Sequence, residues 1–84
     1  MTHETVNQEA ERVINGPRRE AYGPVEKSFE DVATGWGLIL GQPVTARQVA
    51  LCMIWLKVTR HAHGKGRDDL VDICGYAGLA EKLP

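Results

Sequence analysis

Long apolar runs, cysteines and aromatic side chains are all scarce in this chain. Its 84 residues include two cysteines, two tryptophans, two tyrosines and one phenylalanine, with a formal net charge of −1. Cys52 and Cys74 both fall inside apolar helical patterns rather than in loops. That placement excludes a disulfide scaffold and predicts buried free thiols in a reducing compartment. The longest apolar segment, 49–56, is far short of the roughly 20 residues that span a bilayer, so no membrane crossing is expected. The opening residues MTHETVNQEAER are polar and give no signal-peptide pattern. Near-zero net charge supplies no basic field, which disfavours bulk binding of nucleic acid. These absences predict a soluble cytosolic chain. Its length makes it a single domain, 1–84, that buries only about 60% of its unfolded surface and is marginally stable alone.

What is present has a helical period, and no stretch sustains an alternation of two. Val6, Ala10, Val13 and Ile14 form a first stripe that Asn15-Gly16-Pro17 ends, followed by a connector over 17–24. A second helix starts near Pro24 or Val25 with the stripe Val25, Phe29, Val32, Ala33, Trp36, Ile39 and Leu40. Gly35 and Gly37 flank Trp36 and weaken a helix interior, so either a close neighbour packs there or the helix is locally irregular. Thr45 and Gln48 have the spacing of a capping box at the start of a third helix, with Val44 and Val49 placed as its hydrophobic staple.

That third helix is apolar almost all round from Val49 to Val58, which predicts a central position. Too few helices remain to cover such a rod, so a homo-oligomer is expected. A fourth helix runs from about Asp68 or Asp69 to Lys82 with the stripe Leu70, Ile73, Cys74, Ala77 and Ala80. Its small residues Gly75, Ala77 and Gly78 permit close helix approach. The fold class predicted is all-α: a small bundle of about four helices around the apolar third one.

The segment LKVTRHAHGKGRDDLVDICGY, 56–76, concentrates the chemistry. Lys57 and Arg60 share one helix face, and Asp69 and Asp72 share one face of the next. The short basic turn between them, 63–67, makes the two helices antiparallel neighbours, so the four charges converge. One reading is an interhelical ion-pair set with an N-terminal cap. The other is a polyanion site in which Arg60 forks to phosphate, Lys57 adds a point charge, and Asp69 and Asp72 hold Mg²⁺. Upstream, Arg18, Arg19 and Tyr22 on the connector either pin that loop to the body or grip phosphate and stack a base. Tyr76 is a second candidate for base stacking.

Other chemistry lacks its parts. His61 and His63, two apart on a helix, point to opposite sides and do not share a metal. Gly64-Lys65-Gly66 is too short for a phosphate loop and follows no strand. Neither cysteine has a neighbouring base, and Ser28 and Thr34 have no triad partners.

The succession Arg19…Tyr22-Gly23, Phe29…Val32-Ala33…Trp36, Leu56-Lys57…Arg60, Asp69…Asp72 and Gly75-Tyr76-Ala77 resembles a family of small phage and prophage proteins. That family is a domain of unknown function common in actinobacterial phages, and the resemblance covers about residues 18–80. It implies a phage origin and a place in the host cytosol, with no activity attached. A more distant similarity is to the MazG-like all-α NTP pyrophosphohydrolases, which hold Mg²⁺ with an E-x-x-E pair and a later E-x-x-D pair. Asp69-x-x-Asp72 looks like a shortened second pair; Glu26 and Glu30, four apart, do not reproduce the first.

Three functions follow as expectations. The first is binding of a nucleotide or other phosphorylated ligand by Arg18, Arg19, Tyr22, Lys57, Arg60 and Tyr76, with Mg²⁺ at Asp69 and Asp72. The second is a protein-interaction module that modulates a host or phage factor through an apolar patch including Trp36 or Trp55. The third is Mg²⁺-dependent nucleotide pyrophosphohydrolysis.

Overall fold

Four helices follow one another in the computed structural model, which describes residues 4–15 and 25–84. They are α1 (Val6–Asn15), α2 (Val25–Leu40), α3 (Ala46–Gly64) and α4 (Arg67–Lys82), with no strand among the described residues. The all-α bundle expected from the helical period is the fold observed. The Gly16-Pro17 stop and the connector that follows it lie outside the described residues.

Local chemistry sets the helix ends. The Thr45 hydroxyl accepts from the Gln48 amide at 3.1 Å, and the Gln48 side chain accepts from the Thr45 amide at 2.9 Å, completing the capping box that opens α3. Thr5 and Gln8 make the same reciprocal pair, at 3.1 and 2.8 Å, ahead of α1. α2 ends where Gly41 takes a positive φ of 71° and donates to the Gly37 carbonyl at 2.9 Å. α3 ends on Lys65 in the left-handed region, φ 56°, with its amide on His61 O at 2.7 Å.

Packing is organised around the α3–α4 hairpin. Its two arms are antiparallel, and the pairs Lys57–Asp72 and Arg60–Asp69 descend in step along it. At the far end Ala46, Ala50, Ala80 and Leu83 form a buried cluster with Phe29 of α2 against it. α1 lies on α4, where Ile14 reaches the positions a Cβ would take on Gly75 and Gly78, at 3.5 and 3.2 Å. Gly75 and Gly78 thus serve the close approach expected of the small residues of α4, whereas Ala77 is exposed. α2 crosses the N-terminal half of α3, and Gly37 accommodates the Gln42 carbonyl, 3.1 Å from where a Cβ would stand. Gly35 has nothing within 4 Å, so the expected close neighbour exists at only one of the two glycines.

Several expectations about burial are corrected. The buried face of α4 is Val71, Gly75, Leu79 and Ala80, whereas Leu70 and Ala77 are exposed, because α3 and α1 together select the face that is covered. Ile39 and Leu40 end the α2 stripe in solvent, since α2 runs past the helix it crosses. Both cysteines are free thiols but neither is buried: Cys52 is exposed and Cys74 half-buried. Arg67, read as part of a flexible turn, begins α4 and is anchored to α1 by Glu9.

Candidate functional site

The structure brings Lys57, Arg60, Asp69 and Asp72 together at the loop end of the hairpin. Lys57 Nζ is 3.0 Å from Asp72 Oδ2, and Arg60 Nε is 3.7 Å from Asp69 Oδ1. Each of these two α3 cations therefore meets one carboxylate on α4. The pairs are buried in opposite senses. Lys57 is enclosed (side chain 13% exposed) while Asp72 is 44% exposed; Asp69 is enclosed (12%) while Arg60 is 62% exposed. In each pair one charge is held in the protein and needs its partner, and the other has water available.

The turn joining these helices is itself tied down. His61 Nδ1 lies 3.0 Å from the Gly66 carbonyl, so His61 braces the loop that brings the four charges into register. Arg67 donates to Glu9 Oε1 at 2.6 Å and to the Glu4 carbonyl at 2.8 Å, fastening α1 alongside. Glu4 also takes both the Nε and Nη2 of Arg12, at 3.0–3.2 Å. That hydrogen bond, then the charge of Glu4, raises the Arg12 pKa. Lys27 is likewise raised, first by its hydrogen bond to Asp31 and then by that carboxylate's charge. The first pair ties Arg12 of α1 to Glu4 just ahead of it and the second lies on α2, both outside the quartet.

Tyr76 packs its ring on Phe29, centroids 5.9 Å apart and planes tilted by 33°, which links α4 to α2. Arg18, Arg19 and Tyr22 lie outside the described residues. Among the described residues, no three His, Cys, Asp or Glu side chains are grouped to hold a metal ion. Mg²⁺ favours octahedral oxygen coordination. Asp69 and Asp72 as they stand are each turned to a cation, and neither offers the gathered oxygen set that ion requires.

A second feature is apolar. Where α2 meets α3 there is an open groove of about 410 Å³, lined by Trp36, Leu40, Pro43, Val44, Leu51 and Cys52 with Gln42 and Gln48 at its edge. Leu51, Trp55 and Val58 continue from it along α3 at the spacing i, i+4, i+7, all exposed, with Trp55 69% accessible. Trp55 belongs to the patch the sequence singled out; Leu40, Leu51 and Val58 join it unannounced. Their signal was the all-round apolar character of α3, which marks a covered helix without saying what covers it.

Fold and site together define a small all-α bundle with a charged hairpin and an uncovered apolar face, and no described helix is long and apolar enough to cross a membrane. The chain belongs to the family described as Domain of unknown function (DUF6378), which matches residues 5–84. It is similar to the Gene 55 protein of Mycobacterium phage L5, 43% identical over 76 residues, covering 88% of this chain and 49% of that protein. It is also similar to the Gene 55 protein of Mycobacterium phage D29, 35% identical over 81 residues, covering 95% of this chain and 54% of that protein. The chain thus spans about half the length of these phage relatives. No solved structure matches it.

Proposed function

We propose that this phage-type chain is a protein-interaction module acting in the host cytosol, and that the α2–α3 apolar face is its working surface. The observation that carries this reading is Trp55, 69% exposed at the centre of the Leu51–Trp55–Val58 stripe. Tryptophan at the middle of an apolar patch is the residue type that most often anchors a protein interface. A contiguous apolar surface of this kind marks an interaction site. Because Trp55 touches solvent, Trp55→Glu leaves the protomer folded. The test compares the partners retained by the wild-type chain and by that variant, with circular dichroism as the control for folding. Loss of a specific partner supports the reading; retention of every partner by the folded variant defeats it.

Arg60 favours a second reading, the binding of a nucleotide or other phosphorylated ligand. Its guanidinium is mostly exposed and its contact with Asp69 is long, 3.7 Å, so an incoming phosphate has donors to meet. Lys57 and Tyr76, with Arg18, Arg19 and Tyr22 outside the described residues, complete the ligand set expected from the sequence. Thermal shift against nucleotides, with and without Mg²⁺, tests it, since a ligand at a hundred times its Kd adds about 2.7 kcal/mol. An Mg²⁺-dependent pyrophosphohydrolase of the MazG-like kind additionally needs Asp69 and Asp72 to exchange their cations for metal. Nucleotide turnover that survives Asn at both positions eliminates that chemistry.

A further inference from the structure

The large apolar side chains and the core are in unusual places. Of the nine buried apolar residues among those described, five are alanines: Ala10, Ala33, Ala46, Ala50 and Ala80. Five leucines and Trp55 are exposed instead. On the α2–α3 face Leu40, Leu51, Trp55 and Val58 are 61%, 52%, 69% and 40% exposed. Together they make an apolar patch on the order of 400 Å². That is about half of the ~800 Å² that each partner buries in a standard interface, enough for its apolar centre.

We infer that the occupant of the α2–α3 face is a second copy of this chain, in a two-fold dimer where the α3 helices pack antiparallel and each Trp55 enters the other copy's groove. This rests on the reading of that face as an interaction surface and names its partner. A two-fold interface must be self-complementary, with each copy offering both knob and hole. This face carries both: Trp55 projects, and one turn away the groove between Trp36, Leu40, Leu51 and Cys52 is open. Two-fold symmetry also brings residues near the axis close to their own images, so like charges there repel. The groove lining is free of charged residues, as is the Leu51–Trp55–Val58 stripe. A net charge of −1 adds little repulsion between copies.

Sedimentation equilibrium across a dilution series of the full chain tests the inference, with Trp55→Glu and Leu51→Glu alongside. Wild type is expected at twice the 9.3 kDa chain mass. Either variant is expected to weaken self-association by roughly 30-fold or more, the loss that follows removal of a central anchor, with helicity unchanged. Thiol labelling of Cys52 in the groove, measured in a Cys74→Ala chain, is expected to slow as the protein is concentrated. A wild-type chain that stays monomeric overturns the inference, as does a dimer that both Glu variants leave intact with Cys52 freely labelled. Acrylamide quenching in a Trp36→Phe chain separates the two levels of the argument. A monomer with Trp55 open to quencher removes the second copy and leaves the interaction surface for another partner. A monomer with Trp55 shielded removes both.

Discussion

Of the four charges on the α3–α4 hairpin, Lys57 and Asp69 are enclosed, and their partners Asp72 and Arg60 are left wet. This asymmetry orders the effects of substitution. Asp72→Ala strands an enclosed ammonium and should cost about 2–3 kcal/mol. Lys57→Met leaves a carboxylate that water can solvate, and should cost about 1 kcal/mol or less. In the second pair the order reverses: Arg60→Ala should exceed Asp69→Asn, because it leaves Asp69 enclosed without a cation. Urea unfolding midpoints on the four variants check both orders. Equal losses within each pair would mean that burial does not govern these interactions. The sequence supplied the four residues and their convergence, since spacing and a short turn decide both. It did not supply the pairing or which member is enclosed, because those depend on how α4 is rotated against α3.

At the scale of helices, the ends were legible and the faces were only partly so. Thr45 and Gln48 announce α3 because a capping box lies within four consecutive residues. Thr5 and Gln8 carry the same signal within four residues at the start of α1. Thr45→Ala should lower stability by about 1 kcal/mol in the same unfolding measurement. Leu70 and Ala77 stay exposed although they lie on an apolar stripe, because the apolar residues of α4 run nearly all round and packing on both α3 and α1 settles which of them are covered.

Glycine substitutions separate the helix contacts from one another. Gly35→Ala meets nothing within 4 Å and should stabilise α2 by up to about 1 kcal/mol. Gly37→Ala drives a methyl against the Gln42 backbone carbonyl, at 3.1 Å, and should destabilise by about 1 kcal/mol or more despite the better helix former. At Gly78 the neighbour is the end of the Ile14 side chain, 3.2 Å away and free to shift, so alanine there should cost less than at Gly37. Thermal midpoints in the order Gly35→Ala, Gly78→Ala, Gly37→Ala, highest first, check the three contacts together.

For the whole molecule, the core is small and the uncovered face is large, and one follows from the other. Alanines let α3 and α4 approach closely, so the bulky residues of α3 are left pointing outward. The apolar character of α3 predicted both a central helix and an oligomer; the bundle accounts for the first, with α2 and α4 on either side. Covering the outward face by self-association makes stability depend on concentration, so the thermal midpoint should rise on concentrating the wild type and stay constant for Trp55→Glu. The account places function on the apolar face and assigns the Lys57–Asp72 and Arg60–Asp69 pairs to holding the hairpin. Light scattering on wild type, Trp55→Glu and Lys57→Met in parallel tests that division most directly. The account predicts the assembled mass for wild type and Lys57→Met, and the 9.3 kDa chain mass for Trp55→Glu. A folded Lys57→Met that falls to chain mass while Trp55→Glu stays assembled would contradict it.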